Sequence, residues 1–154
     1  MKKIICRTSQ QTLDLGKRIG QTISSQFAIA LTGDLGAGKT TLTQGLAKGL
    51  GVNDDYYITS PTFNIINEYP GEKFRLCHLD LYRLGTADDL EDIGFYDLMG
   101  EDAILIVEWP GLLEEIQFTF DLTIKFEFDA EYNRIISFFP SGHYGVNLVS
   151  KLIL

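Results

Sequence analysis

Apolar positions along this chain change spacing several times, and each change marks an element. Across residues 12–23, Leu13, Gly16, Ile19 and Ile23 recur at three- or four-residue steps, which predicts a helix with one buried stripe. Phe27-Ala28-Ile29-Ala30-Leu31 is an unbroken apolar run and reads as a buried strand. A second helical stripe follows from Leu42, Leu46 and Leu50, in a helix that begins near Lys39 and meets a stop signal at Gly51. Residues 53–57 are a polar connection, and Thr59-Ser60-Pro61-Thr62-Phe63 is held extended by its proline. Residues 64–69 and 74–80 alternate as strands around the hairpin-like turn Pro70-Gly71-Glu72.

Residues 84–99 have helical spacing interrupted at Gly94. Ala103-Ile104-Leu105-Ile106-Val107-Glu108 is nearly all apolar, the pattern of a strand covered on both faces. Residues 118–128 and 134–139 alternate and add two more strands, and residues 146–154 read as a short closing amphipathic helix. Strands mixed with helices in this order predict an α/β fold, a three-layer sandwich of the P-loop NTPase kind around a mixed central sheet, with antiparallel additions at one side. No repeat or linker divides the 154 residues, so one domain over 1–154 is expected.

Composition narrows the partners. The net charge is −8 and the pI about 4.6, with thirteen Lys and Arg scattered along the chain. A protein that grips nucleic acid alone presents a basic face, so any contact with RNA is expected to run through a protein partner. The acidic run Asp88-Asp89-Leu90-Glu91-Asp92 has two readings, a docking surface for a basic partner or a solvated helix face. No apolar run is long enough for a bilayer, and the basic N-terminus lacks the apolar stretch of a secretion signal; the expectation is a cytoplasmic chain with no membrane partner. Cys6 and Cys77 have no metal-ligand spacing and read as reduced core thiols.

The sharpest chemical signal is Gly33-Asp34-Leu35-Gly36-Ala37-Gly38-Lys39-Thr40, which fits G-x-x-x-x-G-K-[ST] between a strand and a helix. Main-chain amides over Asp34, Leu35, Gly36, Ala37 and Gly38 would cradle a nucleotide's phosphates. Lys39 would reach the outer phosphates, and the Thr40 hydroxyl would ligate Mg2+. Turnover needs an acid near the metal and an ordered water. Asp80 and Glu108 each close an apolar strand, where open α/β sheets hold ligands. One would hold the metal and the other orient water, an assignment the residues alone leave open. For Asp80 the alternative is an ion pair with Arg83, for Glu108 a solvated strand end. Thr62 lies on the extended segment and is a candidate γ-phosphate sensor, or else a turn cap. Trp109 with Pro110 would pack adenine, a partner or the sheet end. His78, two residues before Asp80, reads as a core histidine before a catalytic one.

Several segments together resemble the TsaE family, ATPases that support formation of threonylcarbamoyladenosine in tRNA. They are Thr12-Leu13-Asp14-Leu15-Gly16, the loop with Thr41, Ser60-Pro61-Thr62-Phe63, His78-Leu79-Asp80-Leu81-Tyr82-Arg83-Leu84, Leu90-Glu91-Asp92-Ile93-Gly94-Phe95 and Ile106-Val107-Glu108-Trp109-Pro110. The resemblance runs from about residue 8 to 140. It implies ATP and Mg2+ as cofactors, and the TsaD and TsaB complex as partner, with tRNA reached through that complex. It further implies Thr40 and Glu108 as metal ligands, Lys39 on phosphate and Asp80 supporting hydrolysis. Thr41, Thr62, Trp109 and Arg134 would lie near nucleotide or partner.

Two other functions compete. A small-molecule kinase usually clamps its phosphates with arginines or a lid, yet no Lys or Arg occurs between Arg83 and Lys125. No N-K-x-D segment reads guanine, which disfavours a GTPase. An ATP-dependent adaptor with little turnover overlaps with the family resemblance.

Overall fold

The computed structural model describes residues 1–152. Among these, the chain runs β1 (Lys2–Cys6), α1 (Ser9–Thr22), β2 (Phe27–Thr32), α2 (Lys39–Gly49), β3 (Ile66–Pro70), β4 (Arg75–Asp80), α3 (Asp89–Asp92), α4 (Phe95–Leu98), β5 (Ala103–Glu108), α5 (Gly111–Glu115), β6 (Leu122–Phe128), β7 (Arg134–Pro140) and α6 (Gly142–Leu152). The strands form one mixed sheet in the order β1-β7-β6-β2-β5-β4-β3. Its centre, β6-β2-β5-β4, is parallel. Antiparallel strands flank both edges, β3 beside β4 and β7 beside β6, where the sequence pattern had suggested one side only.

Period-two alternation divides the core into two layers. Ile29 and Leu31 of β2, Leu76 of β4 and Ile104 and Ile106 of β5 face one way, onto Leu15 and Ile19 of α1 and Leu42 and Leu46 of α2. Ala28 and Ala30, Cys77 and Leu79, Leu105 and Val107 face the other way, under Leu90, Phe95, Leu98 and Leu113 of the short helices. Each fully buried aliphatic side chain contributes about 1.5–3 kcal/mol. The three layers and the mixed sheet agree with the expected sandwich.

Helix α1 starts where Thr8 accepts a hydrogen bond from the Gln11 amide, 3.2 Å away. It then crosses α2 so closely that a methyl group at Gly45 would lie 2.0 Å from the Leu13 carbonyl oxygen. Only glycine permits that approach, and it fixes α2, and hence the loop preceding it, against the rest of the fold.

Several sequence expectations shift. The N-terminal residues join the sheet as β1, paired with β7, although they show no clean alternation. The strand expected from residue 64 begins at Ile66, because residues 62–64 turn and Ile65 holds φ +68°. The helical pattern of 84–99 becomes two four-residue helices broken by Gly94 at φ +76°. The strand expected from 118 begins at Leu122, while Phe118 and Phe120 pack beneath the short helices. The closing helix starts earlier than expected, at Gly142; residues 153 and 154 of that expectation lie outside the described residues. No helix among the described residues is long and apolar enough to cross a membrane.

Candidate functional site

Sheet register brings the chemistry together. Asp80 at the end of β4 pairs with Glu108 at the end of β5, and Glu108 pairs with Leu31 of β2, the strand that feeds the glycine loop. Both carboxylates therefore emerge at the carboxyl edge of the parallel strands, on the α1/α2 side, next to that loop. A cavity of about 530 Å³ opens there. Of the residues singled out from the sequence, Leu35, Gly36, Gly38, Lys39, Thr40, Thr41, Thr62, Asp80, Glu108, Trp109 and Arg134 line it. Asp34 and Ala37 do not; Asp34 is exposed, and Ala37 is buried with its amide bonded to the Asp34 carbonyl at 3.1 Å.

The loop geometry favours an anion. Gly38 takes φ +111° directly before α2, and no side chain caps that helix. The first-turn amides of α2 are thus left without a side-chain acceptor, at the positive end of an 11-residue helix. Lys39 is 7% exposed, and its Nζ donates to the Gly33 carbonyl at 2.5 Å. The same ammonium lies 5.6 Å from the centre of the Trp109 ring. Arg134 Nε donates to the Ala37 carbonyl at 3.1 Å, tying β7 to the loop.

Asp80 and Glu108 are 5% and 4% exposed. Among the described residues neither forms an ion pair with a lysine or arginine; the partner of Glu108 is His78, whose Nε2 stands 2.8 Å from Oε2. The alternative expected for Asp80, an ion pair with Arg83, does not form. The Arg83 guanidinium instead stacks over Phe63, 4.3 Å from the ring centre. Asp80 Oδ1 accepts from the Tyr82 amide at 3.0 Å, and Thr62 Oγ1 donates to Oδ2 at 3.3 Å. The Ser60 hydroxyl stands between the carboxylates, 3.4 Å from Asp80 Oδ2 and 3.3 Å from Glu108 Oε2. One hydroxyl proton serves only one of them at a time.

These groups suit a hard divalent cation. Their free donors are oxygens, two of them on buried carboxylates with no lysine or arginine ion pair, and Thr40 lines the same cavity. No cluster of three or more His, Cys, Asp or Glu forms a cage among the described residues. A metal would therefore take much of its coordination from phosphate and water, as Mg2+ does.

Sequence reading passed over Ser60 and Tyr82 as site residues, and assigned His78 to the core. The signal for His78 was present: in H-x-D on a strand, the histidine and the aspartate share a face. Trp109 holds φ +57°, a conformation that costs a bulky residue roughly 1–3 kcal/mol and that tends to cluster at functional sites. Its ring packs on Tyr82 with centroids 4.9 Å apart. Away from the site, Asp89 of the acidic run accepts from the Gly85 and Thr86 amides at 2.9 and 3.0 Å, and Leu90 is fully buried. Cys6 and Cys77 are buried free thiols, and burial pushes Cys77 up to about 11.

Comparison with known proteins finds relatives along most of the chain. The family model for the threonylcarbamoyl adenosine biosynthesis protein TsaE matches residues 6–136. Two similar proteins both carry the name tRNA threonylcarbamoyladenosine biosynthesis protein TsaE. The one from Nostoc is 44% identical over 71% of this chain and 68% of its own length. The one from Haemophilus influenzae is 34% identical over 90% and 89%. Among solved structures, YdiB of Bacillus subtilis superposes with a TM-score of 0.75 at 31% identity, covering 98% of this chain and 93% of that one.

Proposed function

The chain belongs to the TsaE family, and from that premise we propose that it binds and hydrolyses ATP with Mg2+ in the formation of threonylcarbamoyladenosine in tRNA, acting with the TsaB–TsaD complex in the cytoplasm. The observation that carries the reading is the pair of buried carboxylates without a cationic partner, facing an uncapped helix N-terminus and a buried lysine across one cavity. Negative phosphates and a divalent cation would balance both halves of that arrangement.

Each residue then has a task. The amides ahead of α2 take phosphate oxygens, and Lys39 exchanges the Gly33 carbonyl for the outer phosphates. Thr40 and Glu108 would hold the metal. When bound, Mg2+ would supply charge that stabilises the phosphates as the terminal phosphoryl group passes to water and ADP departs. Asp80, fixed at one oxygen by the Tyr82 amide, orients the attacking water. Thr62 bonds that same carboxylate, so the turn that carries it would respond to the terminal phosphate. Trp109 and Arg134 border the nucleotide. A second reading, an ATP-dependent adaptor with little turnover of its own, is favoured by exposed Leu35 and Tyr82 lining the cavity and exposed Phe63 next to Thr62.

Calorimetry with ATP tests the proposal. Lys39→Ala should weaken binding about 100-fold or more, the loss of roughly 3 kcal/mol when a buried charged partner is removed. Glu108→Ala should retain much of the ATP binding and lose Mg2+-dependent hydrolysis. Full hydrolysis in Glu108→Ala would remove that residue from the reaction. Wild-type protein that takes up no ATP, even when mixed with TsaB–TsaD, would end the proposal.

A further inference from the structure

We propose that His78 is a positioning residue for Glu108: its ring holds one carboxylate oxygen, so that the other is presented to a divalent cation. The inference rests on the Mg2+–ATP reading above and adds to it a residue that contacts neither nucleotide nor metal.

Geometry carries it. His78 and Asp80 are two residues apart on β4 and share a face, and the β4–β5 register sets Asp80 opposite Glu108. The imidazole is fully buried, with Nε2 2.8 Å from Glu108 Oε2. As a metal ligand Glu108 would be ionised and would only accept, so Nε2 would be the donor. Nδ1 is buried with no hydrogen-bond partner among the described residues. That orphaned nitrogen separates two explanations. A histidine kept for packing alone would leave a polar atom bare where an apolar ring of similar shape would leave none. Its retention is accounted for by the one bond it does make. The carboxylate's Oε2 is further approached by Ser60 at 3.3 Å, whereas no protein group among the described residues bonds Oε1. Glu108 is thereby tethered at one oxygen, as metal-ligating carboxylates commonly are by outer-shell donors.

The test titrates Mn2+ by calorimetry into wild-type and variant proteins saturated with a non-hydrolysable ATP analogue. The analogue's affinity without metal is measured in parallel. His78→Leu removes the donor and should weaken Mn2+ binding about 10-fold or more. The metal-free affinity for the analogue should change far less, because the loop and Lys39 are untouched. His78→Gln can donate from a position near Nε2 and should restore most of the metal affinity, while His78→Asn is too short and should not. Wild-type metal affinity in His78→Leu, or equal affinities in the Gln and Asn variants, would overturn the inference. If His78→Leu does not fold, the Gln–Asn contrast decides alone. A wild-type protein that binds neither analogue nor Mn2+ overturns the underlying reading, a result distinct from wild-type binding that ignores residue 78.

Discussion

The two covers of the sheet bury comparable side chains by different means. On one side lie α1, of 14 residues, and α2, of 11, their backbones in contact through Gly16 and Gly45. On the other lie α3, α4 and α5, of four, four and five residues. Ile19 and Leu46 under the first cover and Leu90 and Phe95 under the second are all excluded from water. What differs is the backbone. Long helices carry their own ladder of hydrogen bonds, whereas the second cover relies on single-turn bonds such as the Asp89 amide to the Thr86 carbonyl at 3.1 Å. The second cover also falls within the stretch between Arg83 and Lys125, which has acidic residues and no lysine or arginine. From these differences we expect the stiffer cover on the side that fixes the glycine loop and the more compliant one on the side away from it.

Glycine substitutions give the strongest test of that contrast. Gly45→Ala forces a methyl to within 2.0 Å of a main-chain oxygen that cannot retreat without parting α1 from α2. The expected cost is about 3 kcal/mol or more, a fall in melting temperature of roughly 6–12 °C. Gly94→Ala, between α3 and α4, meets nothing within 4 Å and is strained only by its φ of +76°, a cost of about 1–2 kcal/mol. Equal losses in thermal melts would show that the two covers are alike.

The same contrast explains what could be read from the sequence. Residues 103–108 are apolar throughout, and the strand was legible to the residue, because burial on both faces leaves no other pattern. The glycine loop, Lys39, Asp80 and Glu108 were legible because their chemistry depends on residue type and on strand ends. The second cover was not. Residues 111–115 fold into α5 with no helical stripe long enough to announce it, and α3 and α4 are each a single turn. Strand β1 was missed because its alternation is poor and its place is set by pairing with distant β7. Ser60 gave no signal as a site residue, and His78 read as core before catalysis, because the groups they meet, Asp80 and Glu108, lie 20 to 48 residues away.

Hydrogen exchange sharpens the comparison locally. Amides of residues 89–98 should open with free energies about 2–3 kcal/mol below those of residues 42–49, which is roughly 30- to 150-fold faster exchange. Added salt should narrow the gap by screening the acidic cover. Equal protection in both segments would mean that buried Leu90 and Phe95 hold their short helices as firmly as a long ladder does.

The two thiols also separate the covers. Cys6 packs in the α1/α2 layer, and burial raises its pKa. Cys77 packs under the short helices, where burial raises it from 9.0 to about 11 despite Arg75, whose Nη1 lies 3.3 Å from the sulfur. Well below pH 9 the thiol is protonated in both folded and unfolded chains, and titration contributes nothing to the pH dependence. Between about pH 9 and pH 11 the unfolded chain releases the Cys77 proton while the folded chain keeps it, so stability declines with rising pH, by at most roughly 2–3 kcal/mol. Denaturant melts from pH 8 to 10.5 should show Cys77→Ala losing less stability over this range than the wild type, since tyrosines and lysines titrate in both and cancel in the difference. Parallel curves would mean that the thiol ionises in the folded chain near its ordinary value, which requires water to reach β4 beneath the second cover. That cover would then open more readily than its packing implies, and the difference between the two layers would be larger than their backbones alone account for.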